Sequence, residues 1–136
     1  MIGSQTQRTL PTILIVEDDE DTRSSEAEFL SQAGFKVVTA ENGAEAARKA
    51  SLQKFDAILC DIAMPRLSGD QFISNLKKNN RSDGINAETP VIVLSGALDR
   101  QVIDRLKGKI VKVFVKPANF DEIVAFLQET VAAQKK

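Results

Sequence analysis

Five short apolar runs punctuate the chain, and each is followed by a stretch in which apolar residues recur at helical spacing. The runs are Thr12 to Val16, Lys36 to Thr39, Ala57 to Cys60, Val91 to Leu94 and Lys112 to Val115. The first, third and fourth lack any apolar–polar alternation, so they read as strands buried on both faces, as in a parallel sheet. Between them the period changes. From Thr22 onward Ala27, Phe29, Leu30 and Ala33 share one helix face, and Gly34 stands where a C-cap is expected. Asn42 is placed to cap a helix whose small residues, Ala44, Ala47 and Ala50, with Leu52, suit close packing on a sheet. Gly69 opens a helix carrying Phe72, Ile73 and Leu76. Asp99 to Lys107 sets Val102, Ile103 and Leu106 inward and closes at Gly108, and the last helix aligns Phe120, Ile123, Val124, Leu127 and Val131. Strand then helix, five times over, implies right-handed crossovers between parallel strands: a three-layer α/β domain with helices on both faces of one sheet.

Two segments fall outside this rhythm. Residues 1–11 are mostly polar and read as a mobile leader. The stretch from Lys77 to Pro90 exceeds the usual connection of roughly 4–6 residues, which marks it as a surface elaboration or a partner contact. The domain therefore spans residues 12–133, with 134–136 as a tail, and no output domain is expected after it.

Composition narrows the function classes. The 136 residues are 43% hydrophobic and 27% charged, as in a soluble globular domain, and the net charge is -1. That balance, with neither Trp nor Tyr to stack on bases, gives no footprint for nucleic acid. Cys60 is the single cysteine and histidine is absent, which excludes an intrachain disulfide and thiolate–imidazole zinc sites. No apolar run approaches a membrane span, so no membrane insertion and a cytoplasmic location are expected.

Chemistry collects at the strand ends. Asp18 and Asp19 follow the first strand, Asp61 the third, Ser95 the fourth and Lys116 the fifth. In an open parallel α/β sheet the carboxyl edge is where ligands bind. Each residue alone has a plainer reading: an acid near a helix start favours the helix dipole, a Ser makes a turn, a Lys is solvated. Together they do not, because carboxylates about 4 Å apart repel by about 4 kcal/mol per pair at an effective dielectric of about 20. Lys116 offsets part of that charge, and a divalent ion would offset the rest. Oxygen ligands without His or Cys point to Mg²⁺, with Mn²⁺ as a substitute. A carboxylate, a metal site, a lysine and a hydroxyl are the parts that phosphoryl transfer needs, with Asp61 as the nucleophile.

Val16-Glu17-Asp18-Asp19, Asp61-Ile62-Ala63-Met64-Pro65 with Gly69, Ser95-Gly96-Ala97 and Val115-Lys116-Pro117 together resemble a response-regulator receiver domain. The resemblance covers about residues 12 to 133. It implies a flavodoxin-like five-stranded parallel sheet in the order 2-1-3-4-5, and phosphorylation of Asp61 by a sensor histidine kinase or a histidine phosphotransfer protein. It also implies direct Mg²⁺ ligation by Asp19, Asp61 and the backbone carbonyl of Ala63, with Asp18 acting through a water. Lys116 would pair with the phosphoryl group, the Lys116-Pro117 bond would be cis, and Ser95 would bond the phosphoryl oxygens. One position departs from the family: Val113 stands where a Tyr or Phe usually moves with the Ser/Thr. Adjacent Phe114 faces the other side of its strand and cannot replace it without a bulge. The expected protein is a phosphoacceptor rather than an enzyme, a stand-alone receiver signalling through contact with a downstream protein, as a monomer or a phosphorylation-dependent dimer. A phosphorylation-independent binding module and a metal-dependent phosphohydrolase are the alternatives; the second lacks the acid it would need at Ala63.

Overall fold

In a computed structural model of the chain, which describes residues 10–62, 69–78, 84–96 and 100–134, strands and helices alternate without exception. The strands are β1 (Thr12–Val16), β2 (Lys36–Ala40), β3 (Ala57–Asp61), β4 (Val91–Ser95) and β5 (Lys112–Val115). The helices are α1 (Glu20–Gln32), α2 (Gly43–Ala50), α3 (Gly69–Lys78), α4 (Arg100–Leu106) and α5 (Phe120–Gln134). The sheet is parallel throughout, in the order β2-β1-β3-β4-β5. Reversal of the strand order beside β1 puts β1 and β3 side by side at the centre, with their carboxyl ends opening on one crevice.

The strands explain their own burial. β3 and β4 are buried at every position, and their side chains alternate between two cores. Leu14, Val16, Ile58, Cys60, Val91 and Val93 face one way, against Ala46, Ala50, Phe72, Ile73 and Leu106 of α2, α3 and α4. Ile13, Ile15, Leu59, Ile92 and Leu94 face the other, against Leu30, Ile123, Leu127 and Val131 of α1 and α5. Each fully buried Leu or Ile contributes about 1.5–3 kcal/mol.

Several helical details differ from the pattern expected of the sequence. α1 begins at Glu20 rather than Thr22, because Asp19 is its N-cap and accepts bonds from the Thr22 backbone N–H and hydroxyl at 2.8 and 2.7 Å. In α2 the buried stripe is Gly43, Ala46 and Ala50, while Ala44 and Ala47 face solvent. The helix stops at Ala50, so Leu52 falls beyond it and is 68% exposed. Asn42 does cap α2, accepting from the Glu45 N–H at 2.8 Å. Gly34 and Gly108 take the positive φ angles, 101° and 83°, that follow α1 and the α4 turn.

The described part of the long connection, residues 84–90, is tied into the core rather than raised from the surface. Asn86 is buried. Its Oδ1 accepts from the Phe55 N–H at 2.9 Å and the Thr89 hydroxyl at 2.8 Å, and its Nδ2 donates to the carbonyls of Ala50 at 2.7 Å and Gln53 at 2.8 Å. Lys77 donates to the carbonyls of Ala87 and Thr89. Residues 79–83 of this connection and 1–9 of the leader lie outside the described residues.

Candidate functional site at the carboxyl edge of the sheet

Five consecutive acids, Glu17 to Asp21, follow β1, and geometry separates the first three. The Glu17 N–H donates to the Ala40 carbonyl at 3.0 Å, continuing the ladder one residue past β1 and drawing Glu17 into the interior, where it is 2% exposed. Arg23, in α1, donates to the carbonyls of Glu17 and Asp18 at 3.0 and 3.4 Å and so fixes the turn. Asp19 is engaged as the N-cap of α1 through Thr22. Its bonds from the Thr22 hydroxyl and N–H hold its carboxyl below the usual range.

Asp61 is the last residue of β3 and is 5% exposed. From the end of β5, Lys116 reaches over it, with Nζ 3.2 Å from Asp61 Oδ2 and 3.4 Å from Glu17 Oε1. Burial opposes the charge on Lys116, but the Asp61 and Glu17 carboxylates outweigh it and hold the ammonium above its ordinary pKa. Glu17 shifts upward too, chiefly through burial, although the Asp19 N–H bonds to it. The Lys116 N–H donates to the Ser95 carbonyl at 2.8 Å, and the Lys116–Pro117 bond is cis. Ser95 closes β4, buried, one residue beyond the Leu94 that pairs with Asp61.

Carboxylate oxygens of Glu17, Asp18 and Asp61 all lie within 4.8 Å of one another. An all-oxygen, acid-rich set of this size fits a hard, octahedral cation such as Mg²⁺. The acids that meet are therefore one residue earlier than expected: Asp18 is in the cluster and Asp19 is not. Glu17, which the sequence reading did not single out as a site residue, joins it. The available signal was its place as the first residue after a strand buried on both faces. Ala63, with Met64 and Pro65, lies outside the described residues. Val113 pairs with Val93 and packs on the α2–α4 side, while Phe114 pairs with Leu94 on the opposite side and meets Phe126 edge-on at 6.1 Å. The register runs through both without a bulge, so no aromatic ring occupies position 113.

Residues 13–128 match the family described as the response regulator receiver domain. Among curated relatives, the chain is 38% identical over 120 residues to the transcriptional regulatory protein PrrA of Mycobacterium tuberculosis, covering 86% of this chain and 48% of that protein. It is 32% identical over 126 residues to hybrid signal transduction histidine kinase D of Dictyostelium discoideum, covering 92% of this chain and 8% of that one. The chain thus spans about half or less of the length of these relatives. Among solved structures, the chemotaxis protein CheY4 of Vibrio cholerae superposes with a TM-score of 0.79 at 27% identity, covering 90% of this chain and 99% of that one. The chain belongs to the response-regulator receiver domains of two-component signalling. Receiver domains are in general phosphoacceptors that meet histidine kinases or phosphotransfer proteins, and they generally bind Mg²⁺.

Proposed function

We propose that this receiver takes a phosphoryl group on Asp61 from the phosphohistidine of a sensor kinase or phosphotransfer protein, and that the phosphorylated face then changes its contacts with a downstream protein. The observation that carries this reading is the buried Asp61 carboxylate at the strand end with the Lys116 ammonium 3.2 Å away. A carboxylate oxygen of Asp61 attacks phosphorus. The O–P bond forms as the P–N bond to the imidazole breaks, the imidazole leaves with the electron pair, and an acyl phosphate results. Lys116, already positioned, balances charge on the phosphoryl oxygens, and the Ser95 hydroxyl supplies a hydrogen bond to them. Asp18 and Asp61, with Glu17 behind them, would hold Mg²⁺, which when bound neutralises charge on the transferred group.

Intact mass after incubation with acetyl phosphate and Mg²⁺ tests this reading. We expect a phosphoryl adduct in the wild type, none in Asp61→Asn, and none once the metal is chelated. An adduct of equal yield in Asp61→Asn would place the acceptor elsewhere.

A further inference from the structure

Glu26 has no role in the phosphoacceptor scheme, yet it is the most unusual acid in the fold. It lies on the buried side of α1, 2% exposed, where the pattern of the helix calls for an apolar residue such as Leu30 one turn on. Among the described residues no hydrogen bond or ion pair reaches its carboxyl group. Since no fully enclosed side-chain polar atom among the described residues is left without a partner, the Glu26 oxygens open onto a cavity. That cavity, about 430 Å³, is lined by Thr22, Glu26, Leu94, Lys116, Pro117, Ala118 and Phe120. Apart from Glu26, the only charged residue lining it among the described residues is Lys116. A buried acid without a partner is costly, by about 1–3 kcal/mol or more, so its retention beside Lys116 calls for a reason.

We propose that Glu26 is a positioning residue for Lys116: an acid on the neighbouring helix that shares the lysine's cavity and competes with Asp61 and Glu17 for its ammonium group. The idea rests on the phosphoacceptor reading for its consequence, though not for its geometry. Burial pushes the Glu26 carboxyl up to about 8, with the Glu17 and Asp61 charges adding to the rise and Lys116 opposing it. Among the described residues, the charged groups that act on it are Glu17 after β1, Asp61 on β3 and Lys116 after β5. At neutral pH and below Glu26 is uncharged, and Lys116 stays on Asp61 and Glu17. As pH rises through about 8 Glu26 ionises, draws the ammonium toward the cavity and adds a negative charge beside an incoming phosphoryl donor. Both effects slow acceptance by Asp61.

The test has two arms on the full chain. In the first, carboxyl ¹³C and Lys116 side-chain NMR shifts are followed from pH 6 to pH 10 in wild type and Glu26→Gln, without any phosphodonor. We expect the Lys116 signals to inflect at the Glu26 midpoint in wild type and to lose that inflection in Glu26→Gln. Lys116 signals that ignore the Glu26 midpoint, or an inflection that persists in Glu26→Gln, would overturn the proposal. In the second arm, the rate of adduct formation with acetyl phosphate and Mg²⁺ is measured over the same range. We expect a fall of roughly tenfold between pH 7 and pH 9 in wild type and a flat profile in both Glu26→Gln and Glu26→Leu. A wild-type fall that survives in both variants would also overturn it. Absence of any wild-type adduct at every pH would sink the phosphoacceptor reading and leave the NMR arm to decide the role of Glu26.

Discussion

The unpartnered Glu26 makes a quantitative prediction about stability that needs no phosphorylation. Its carboxyl titrates at 4.5 in an ordinary setting and near 8 in the fold. A raised pKa means that the folded state holds the proton more tightly than the unfolded chain. Below pH 4.5 both states are protonated and Glu26 contributes nothing to the pH dependence. Between pH 4.5 and 8 the unfolded chain has released the proton and the fold has not, so stability falls as pH rises; above 8 the loss is complete. Each pH unit in that window is worth about 1.4 kcal/mol, which sets a ceiling of about 4–5 kcal/mol. The open cavity beside Glu26 admits water and relieves part of the burial, so we expect about 2–3 kcal/mol to be realised. Glu26→Gln keeps the shape and removes the titration. The perturbation is read as the difference in urea midpoint between wild type and Glu26→Gln from pH 4.5 to pH 9, where groups common to both proteins cancel. Midpoints should converge at the acid end and separate steadily, with the variant more stable at pH 9. A constant difference across the range would refute the reasoning, because it would mean that Glu26 titrates alike in the folded and unfolded states.

Other predictions follow from the same geometry. Asp18→Asn should weaken Mg²⁺ binding by about 10- to 100-fold, while Asp19→Asn, whose side chain serves the α1 cap, should leave the affinity near that of the wild type; calorimetric titration of Mg²⁺ separates the two, and equal losses would argue against the arrangement of acids described above. Asn86→Ala should destabilise the fold by about 2–4 kcal/mol, since it strands the Phe55 N–H and two carbonyls in the interior; a urea midpoint within experimental error of the wild type would show that the stretch from residue 84 to 90 is not needed to hold α2 and β3 together.

Period and punctuation in the sequence determined the architecture. A change from doubly apolar runs to helical spacing, repeated five times, leaves little choice but a parallel sheet covered on both faces. The strand ends then put Asp61, Ser95 and Lys116 on one edge. Those placements survive because strand direction and burial are set by local apolar pattern over several residues, and an error of one residue at an element boundary does not move them.

The tertiary structure decided what a one-residue error does move. Glu17 to Asp21 are five acids in a row, and the place of Glu17 directly after a buried strand is the one local hint as to which of them face the site. That is settled by the ladder bond from Glu17 to Ala40, a partner 23 residues away, and by the competing bonds that Thr22 offers Asp19. The buried stripe of α2 likewise depends on where the helix lands on the sheet, which sends Ala46 inward and Ala47 outward. Glu26 shows the limit most plainly. In the sequence it is one charge on an otherwise unremarked turn of α1; only the approach of β5 and the Lys116–Pro117 turn encloses it, because burial is a property of what packs against a residue and not of the residue itself.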